Sequence, residues 1–172
     1  MVETAKYQVM RTDGDFEIRK YDRILLATVK NAPSRFRVLF NYITGSNKSK
    51  KKVAMTSPVI TSEEIAMTSP VLSTNESMSF VFPSEYTQET APEPTEERIT
   101  INEVPERYVA TVRFNGLARK NSVKKQTAKL LDWLKREDIQ INGLPFLMQY
   151  NPPYVPGFLR RNEIGVEIKY WD

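Results

Sequence analysis

The sequence predicts an α+β fold, with antiparallel strands and two helices arranged as two similar halves. These halves could join into one curved sheet or open barrel with the helices packed outside. Three observations carry this expectation. Short alternating segments recur along the 172 residues, the period turns helical in two places, and the order strands–helix–strands is replayed after a proline-rich connection.

Residues 7–11 and 16–21 alternate around Thr12-Asp13-Gly14-Asp15, and Asp-Gly between such segments is a strong hairpin signal. Phe16 and Ile18 are expected to face inward, Glu17 and Arg19 outward. Residues 24–30 are apolar enough for a central strand. Phe36, Leu39, Phe40 and Ile43 then fall at i, i+3, i+4 and i+7, one stripe of a helix. Pro33 suits its first turn and Gly45 its stop, while Arg35, Arg37 and Asn41 point elsewhere.

A duplication follows a run of lysines (Lys48, Lys50, Lys51, Lys52). Ala54-Met55-Thr56-Ser57-Pro58-Val59 recurs unchanged as Ala66-Met67-Thr68-Ser69-Pro70-Val71. Two copies are too few for a solenoid. The proline in each cannot donate to a ladder, so the pair reads as a hairpin or as two irregular edge strands. It is either sheet wall or a wall for a flat apolar ligand. Residues 78–82 form another strand, and residues 83–97, with three prolines and five glutamates, read as a surface connection.

The second half alternates over residues 98–104 and 107–114, where Tyr108, Ala110, Val112 and Phe114 share a face. A helix is expected from about 122 to 137, with Val123, Thr127, Leu130, Leu131 and Leu134 as its stripe. Lys124, Lys125, Lys129, Lys135 and Arg136 lie outside that stripe. Residues 146–150 make a short strand, and Ile164, Val166, Ile168 and Tyr170 alternate along the last one. The pseudo-halves are thus about 7–82 and 98–170, joined by 83–97, within one domain.

Composition excludes several chemistries. The chain has no histidine and no cysteine, which removes disulfides, thiolate nucleophiles, zinc–thiolate sites, the Ser-His-Asp triad and His-ligated haem. No run approaches the ~18 apolar residues of a membrane span. Residues 1–6 show no secretory signal, so the expected compartment is cytoplasmic. The net charge of +4 is mild, and the lysine loop lacks the interleaved aromatics of single-strand binders, so no nucleic-acid partner is expected.

The stretch from Tyr150 to Glu163 combines three prolines with an apolar tip (Tyr154, Val155, Phe158, Leu159) beside Arg160 and Arg161. An apolar plate beside arginine forks suits a flat ligand that carries carboxylates. The alternative is a hairpin cap in which Arg160 or Arg161 pairs with Glu163 or another acid.

Five segments together resemble the SOUL haem-binding-protein family. They are Phe16-Glu17-Ile18-Arg19-Lys20-Tyr21, residues 36–45, Lys52-Val53-Ala54-Met55-Thr56-Ser57-Pro58-Val59, Phe82-Pro83-Ser84-Glu85, and the loop from Asn151-Pro152-Pro153 to Arg160-Arg161-Asn162-Glu163. They run in the family's order and span roughly residues 7–170. The resemblance implies a distorted antiparallel β-barrel flanked by two helices. It also implies haem or a related tetrapyrrole held in a shallow hydrophobic cleft between the first helix and the Pro-Pro loop.

By position, one wall would be Phe36, Leu39, Phe40 and Ile43, the other Tyr154, Val155, Phe158 and Leu159, with Met55 nearby. Arg37, Lys52, Arg160 and Arg161 would be the candidates for the propionates. Relatives with an axial histidine have no counterpart here, and Val155 stands where some relatives carry a basic residue. Any iron ligand would be a Met, Tyr or Lys, with Met55, Met67, Tyr42 and Tyr154 as the candidates; thioether and phenolate ligation both occur in haem proteins.

Three functions remain open: a haem or porphyrin carrier or buffer; an enzyme that inserts or removes a porphyrin's metal, for which Glu63, Glu64 and Glu163 are conceivable bases; and a small-molecule-sensing or protein-interaction module without haem.

Overall fold

Strand pairing cuts across the linear order of the chain. The computed structural model describes residues 3–30, 33–62, 76–152 and 154–170. The first part carries strands β1 (Glu3–Thr4), β2 (Tyr7–Asp13), β3 (Phe16–Tyr21) and β4 (Ile24–Lys30), helix α1 (Arg35–Ile43), and strands β5 (Thr56–Ser62) and β6 (Ser77–Val81). Strands β7 (Ile99–Val104) and β8 (Arg107–Asn115), helix α2 (Lys120–Arg136), and strands β9 (Gln140–Ile141), β10 (Phe146–Gln149) and β11 (Arg161–Lys169) follow. A single 3-10 turn, Gly157–Leu159, precedes β11. The expected α+β class, mostly antiparallel with two helices, is what forms.

Two compact units result, Met1–Ala5 with Arg23–Pro105, and Lys6–Asp22 with Glu106–Asp172. In the first unit the strands run β5-β6-β4-β7, and α1 links β4 to β5. In the second they run β10-β11-β8-β3, with β2 outside β3 and α2 between β8 and β10. The same plan therefore occurs twice. The units are not the sequence halves, however. β3 pairs with β8 (Ile18 opposite Ala110), and β7 pairs with β4 (Ile101 opposite Ala27). Alternation identifies a strand but not its long-range partner, and here the first half lends β2 and β3 to the second unit while the second half lends β7 to the first.

In the first unit Leu25, Ala27 and Val29 of β4 pack with Leu39, Tyr42 and Ile43 of α1 and with Phe80 and Phe82. Residues 83–97 carry no regular element, as expected, but they are fastened to this unit. Lys48 N–H donates to Glu93 O (2.9 Å), and the Tyr42 hydroxyl donates to the carbonyl of Pro92. The first Met-Thr copy enters β5 at Thr56, as an irregular strand. Its pairing with β6 slips between Thr56 and Val59, around a cis Ser57–Pro58 bond. The second copy lies outside the described residues.

The second unit buries Phe16, Ile18, Ala110, Val112, Ile164, Val166 and Ile168 under Leu130, Trp133 and Leu134 of α2. Gly14, with φ of 59°, turns the β2–β3 hairpin in the left-handed region that Asp-Gly foreshadows. Trp133 escapes the simple helical stripe. Its indole stacks on Phe16 at 4.8 Å and donates to Asp13 at 2.9 Å. The expectation that Arg19 faces solvent is overturned: the residue is 2% exposed. Both faces of β3 are covered, so the alternation of polar and apolar residues marks two kinds of buried face.

Gly165 sits in the middle of β11, where a Cβ would lie 2.8 Å from the Phe146 ring and 2.9 Å from the Met148 methyl. Gly165→Ala should therefore destabilise the protein by about 1–3 kcal/mol through overpacking. Gly143→Ala, whose Cβ would rest 3.5 Å from Glu167, should be nearly neutral. Urea midpoints of the two variants compared with the parent check this; equal midpoints would refute it.

Candidate functional site

Helix α1 divides its predicted stripe in two. Leu39 and Ile43 turn into the core with Tyr42, whereas Phe36 and Phe40 stay 43% and 44% exposed. The two rings are nearly parallel at 5.9 Å, and Phe36 also meets Phe80 edge-on at 5.4 Å. Half-exposed parallel rings, held from beneath by a core aromatic, form an apolar plate on this unit. Met55, also partly exposed, lines a small apolar recess with Ile43, Val53 and Phe80. Arg37 does not share the plate. With Asn41 it lines a polar groove of about 430 Å³ that also includes Glu96 and Arg98. Lys52 is exposed on the segment before β5.

The loop between β10 and β11 belongs to the second unit. Tyr154, Phe158 and Leu159 are 86%, 76% and 60% exposed, and Val155 is half-buried. Their exposure is not looseness. Val155 N–H donates to Pro152 O (3.1 Å), Leu159 N–H to Pro156 O (2.9 Å), and Arg160 Nε to Val155 O (2.9 Å). Arg160 thus braces the loop from inside.

Arg161 serves as the alternative reading proposed. Its Nη2 and Nε donate to Glu163 Oε1 at 2.7 and 3.2 Å. Glu163 is fully buried, and Arg19 adds two further bonds, from Nη1 to Oε2 (2.6 Å) and from Nη2 to Oε1 (2.7 Å). The Tyr150 hydroxyl donates to Oε2 at 2.7 Å. Arg19 itself spreads over Tyr7, 4.3 Å from its ring centre, and reaches Tyr21 and Glu17. Burial alone would raise the Glu163 carboxyl. Arg19, Arg161 and Tyr150 outweigh that and hold it below the usual carboxylate range. Burial, with the Tyr21 and Glu163 charges, drives the Tyr150 phenol upward. Glu163 is therefore a poor base for metal exchange, while Glu63 and Glu64 lie outside the described residues.

Positional reasoning offered the Arg161–Glu163 pair but missed Arg19 and Tyr150, although a signal for Arg19 was present. Glu17/Arg19 and Arg161/Glu163 are i, i+2 pairs, so each lies on one face of a strand. Glu163 and Gly165 must also face away from Ile164 and Val166. What the spacing leaves undetermined is that the two faces coincide across β8.

Among the proposed iron ligands, Tyr42 is excluded. It is buried, its hydroxyl is spent on Pro92, and burial, with a smaller push from Tyr86, raises its pKa to about 12. Met55 and Tyr154 are exposed, and Met67 lies outside the described residues. Among the described residues no cluster of histidine, cysteine or carboxylates could hold a metal ion. Nor is any helix of theirs long and apolar enough to cross a membrane.

The sequence model of the SOUL heme-binding protein family matches residues 2–167. No curated protein matches the chain. Among solved structures, the chain is similar to the EcmrR C-terminal domain at 12% identity and a TM-score of 0.64, covering 96% of this chain and 99% of that one. It is also similar to a hydrolase from Listeria innocua at 7% identity and a TM-score of 0.62, covering 93% of this chain and 94% of that one. An uncharacterized conserved protein from Listeria innocua matches at 8% identity and a TM-score of 0.64, covering 90% of this chain and 92% of that one. At such identities these structures speak for the fold alone.

The buried carboxylate makes a stability prediction. Glu163→Gln removes the fully buried counter-charge of Arg19, leaving it only Glu17, and should cost about 3–5 kcal/mol. Because the folded pKa of Glu163 is depressed, its contribution is fully present above the unfolded value of about 4.3 and fades as pH falls through the folded one. Stability of the parent should thus drop below about pH 4.3 more steeply than that of the variant. Denaturant midpoints across acid pH measure both; parallel profiles would remove Glu163 from the account.

Proposed function

The chain belongs to the SOUL haem-binding protein family, and on that premise we propose that it binds haem or a related tetrapyrrole as a single-domain carrier or buffer. The observation that carries this reading is the exposed, parallel Phe36–Phe40 pair on α1. A flat macrocycle gains most from flat apolar partners, and burying apolar surface at ~25 cal/mol per Å² yields several kcal/mol over a few hundred Å². After the cost of association, affinity in the micromolar range follows without a strong metal bond.

The residues present fit such a group. Phe36, Phe40 and Met55 of the first unit would supply the apolar contact. Lys52, exposed and three residues before Met55, would serve the propionates best, since Arg37 faces the polar groove away from the plate. Arg161 is committed to Glu163, and Arg160 to the loop carbonyl. Leu39 and Ile43 would act from the core, by setting the angle of α1. Haem brings an iron that can bind a protein ligand, and Met55, exposed on the first unit, would be the candidate there. With no histidine in the chain, retention rests on area and charge, which suits uptake and release better than redox chemistry.

A Soret-band titration with ferric haem, beside a fluorescence titration with metal-free protoporphyrin, tests the proposal. Similar affinity for both is expected, since the plane and its carboxylates are what is recognised. Phe36→Ala with Phe40→Ala should weaken both by at least about tenfold, a loss of roughly 1.4 kcal/mol. A strong preference for haem would instead point to Met55 as an iron ligand. Absence of saturable binding to either compound would overturn the proposal.

A further inference from the structure

The second unit carries a surface that the α1 plate and the buried carboxylate leave unexplained. Tyr154, Phe158 and Leu159 project from the 150–160 loop, and Leu117, 40% exposed, lies directly against it. A side chain added at Gly157 would meet Leu117 Cδ2 at 3.0 Å. Gly116 N–H donates to Arg160 O (3.1 Å) and the Asn162 amide donates to Gly116 O (2.6 Å), which ties this apolar tip to the start of α2. There the charge is of one sign. Arg119, Lys120, Lys124 and Lys125 are all exposed and have no acidic partner among the described residues. The first turn of α2 contains no acid, and the sequence has none from residue 107 to 131 or from 150 to 162. Cations at the start of a helix also meet the positive end of its dipole, so helix stability does not account for them.

We propose that this face docks on an anionic lipid surface, with Tyr154, Phe158, Leu159 and Leu117 entering the headgroup–acyl boundary and Arg119, Lys120, Lys124 and Lys125 lying on the headgroups. An aromatic and aliphatic tip rimmed by unpaired cations complements the two layers of such an interface, apolar inside and negative outside. Proline and backbone hydrogen bonds hold the tip in shape, so little loop entropy is lost on contact. The inference rests on this geometry and not on haem binding. Because the family resemblance also assigns this loop to the tetrapyrrole, the lysines of α2 separate the two ideas.

Co-sedimentation of the full chain with vesicles of phosphatidylcholine and phosphatidylglycerol in equal parts, against pure phosphatidylcholine, is the test. Binding is expected to the anionic vesicles alone and should fade at about 1 M salt, where the Debye length falls to about 3 Å. Lys120→Glu with Lys124→Glu should lower the partition coefficient more than about tenfold, at roughly fivefold per cation lost, while leaving the Soret titration as in the parent. Phe158→Ser with Leu159→Ser should lower it more than about tenfold through the apolar contact. All four side chains are exposed, so unchanged urea midpoints should accompany both losses. Vesicle binding that survives both pairs of substitutions would overturn the proposal. So would no binding by the parent, which would leave an acidic protein as the occupant of this face.

Discussion

The buried carboxylate of Glu163 is the constraint on which the second unit depends. It lies on β11, and its strongest partner, Arg19, lies on β3, with β8 between them. One charge pair thus spans three strands. The same carboxylate takes bonds from Tyr150 and Arg161, the residues that open and close the 150–160 loop. Both ends of the exposed tip are therefore held by a single buried group. Two guanidiniums and a phenol supply the hydrogen bonds without which a buried carboxylate would be strongly unfavourable. An exposed apolar loop keeps its shape here because its anchor is polar and inside.

The first unit solves a different problem. Helix α1 is only nine residues long and carries more aromatic and aliphatic surface than one packing face can take. Leu39, Tyr42 and Ile43 fill the core, and Tyr42 fastens the irregular 83–97 segment through Pro92. Phe36 and Phe40 are then left outside, stacked on each other, with Phe36 edge-on to Phe80. The plate proposed to hold a tetrapyrrole follows from that surplus. Arg37, one residue along the helix from Phe36, faces a polar groove instead, which separates charge from plate by the 100° step of the helix.

Much of this was legible in the residues. The hairpin at Gly14, the position of α1, the bulge-prone proline of the Met-Thr segment and the inward set Phe16, Ile18, Ala110 and Val112 all follow from period and turn chemistry. The apolar loop tip was visible as well. Arg19 was not, because a charged residue at an outward position of an alternating strand is ordinarily solvated. Tyr42 reads equally well as a ligand or as core, since only its neighbours decide where the hydroxyl goes. Leu117 carried no signal, because its contact with Gly157 joins segments forty residues apart.

The sequence by itself determined the α+β class, the two helices, the repeated strand–helix–strand order and the exclusion of histidine and cysteine chemistry. These are local properties, set by periodicity, turn preference and composition. Tertiary structure alone decided that β3 serves the second unit and β7 the first. It also decided that Glu163 and Arg19 meet, and that Phe36 and Phe40 remain outside while Tyr42 goes in. Each of those outcomes depends on which distant surface covers a given face. Burial and hydrogen-bond satisfaction are settled only when that surface arrives.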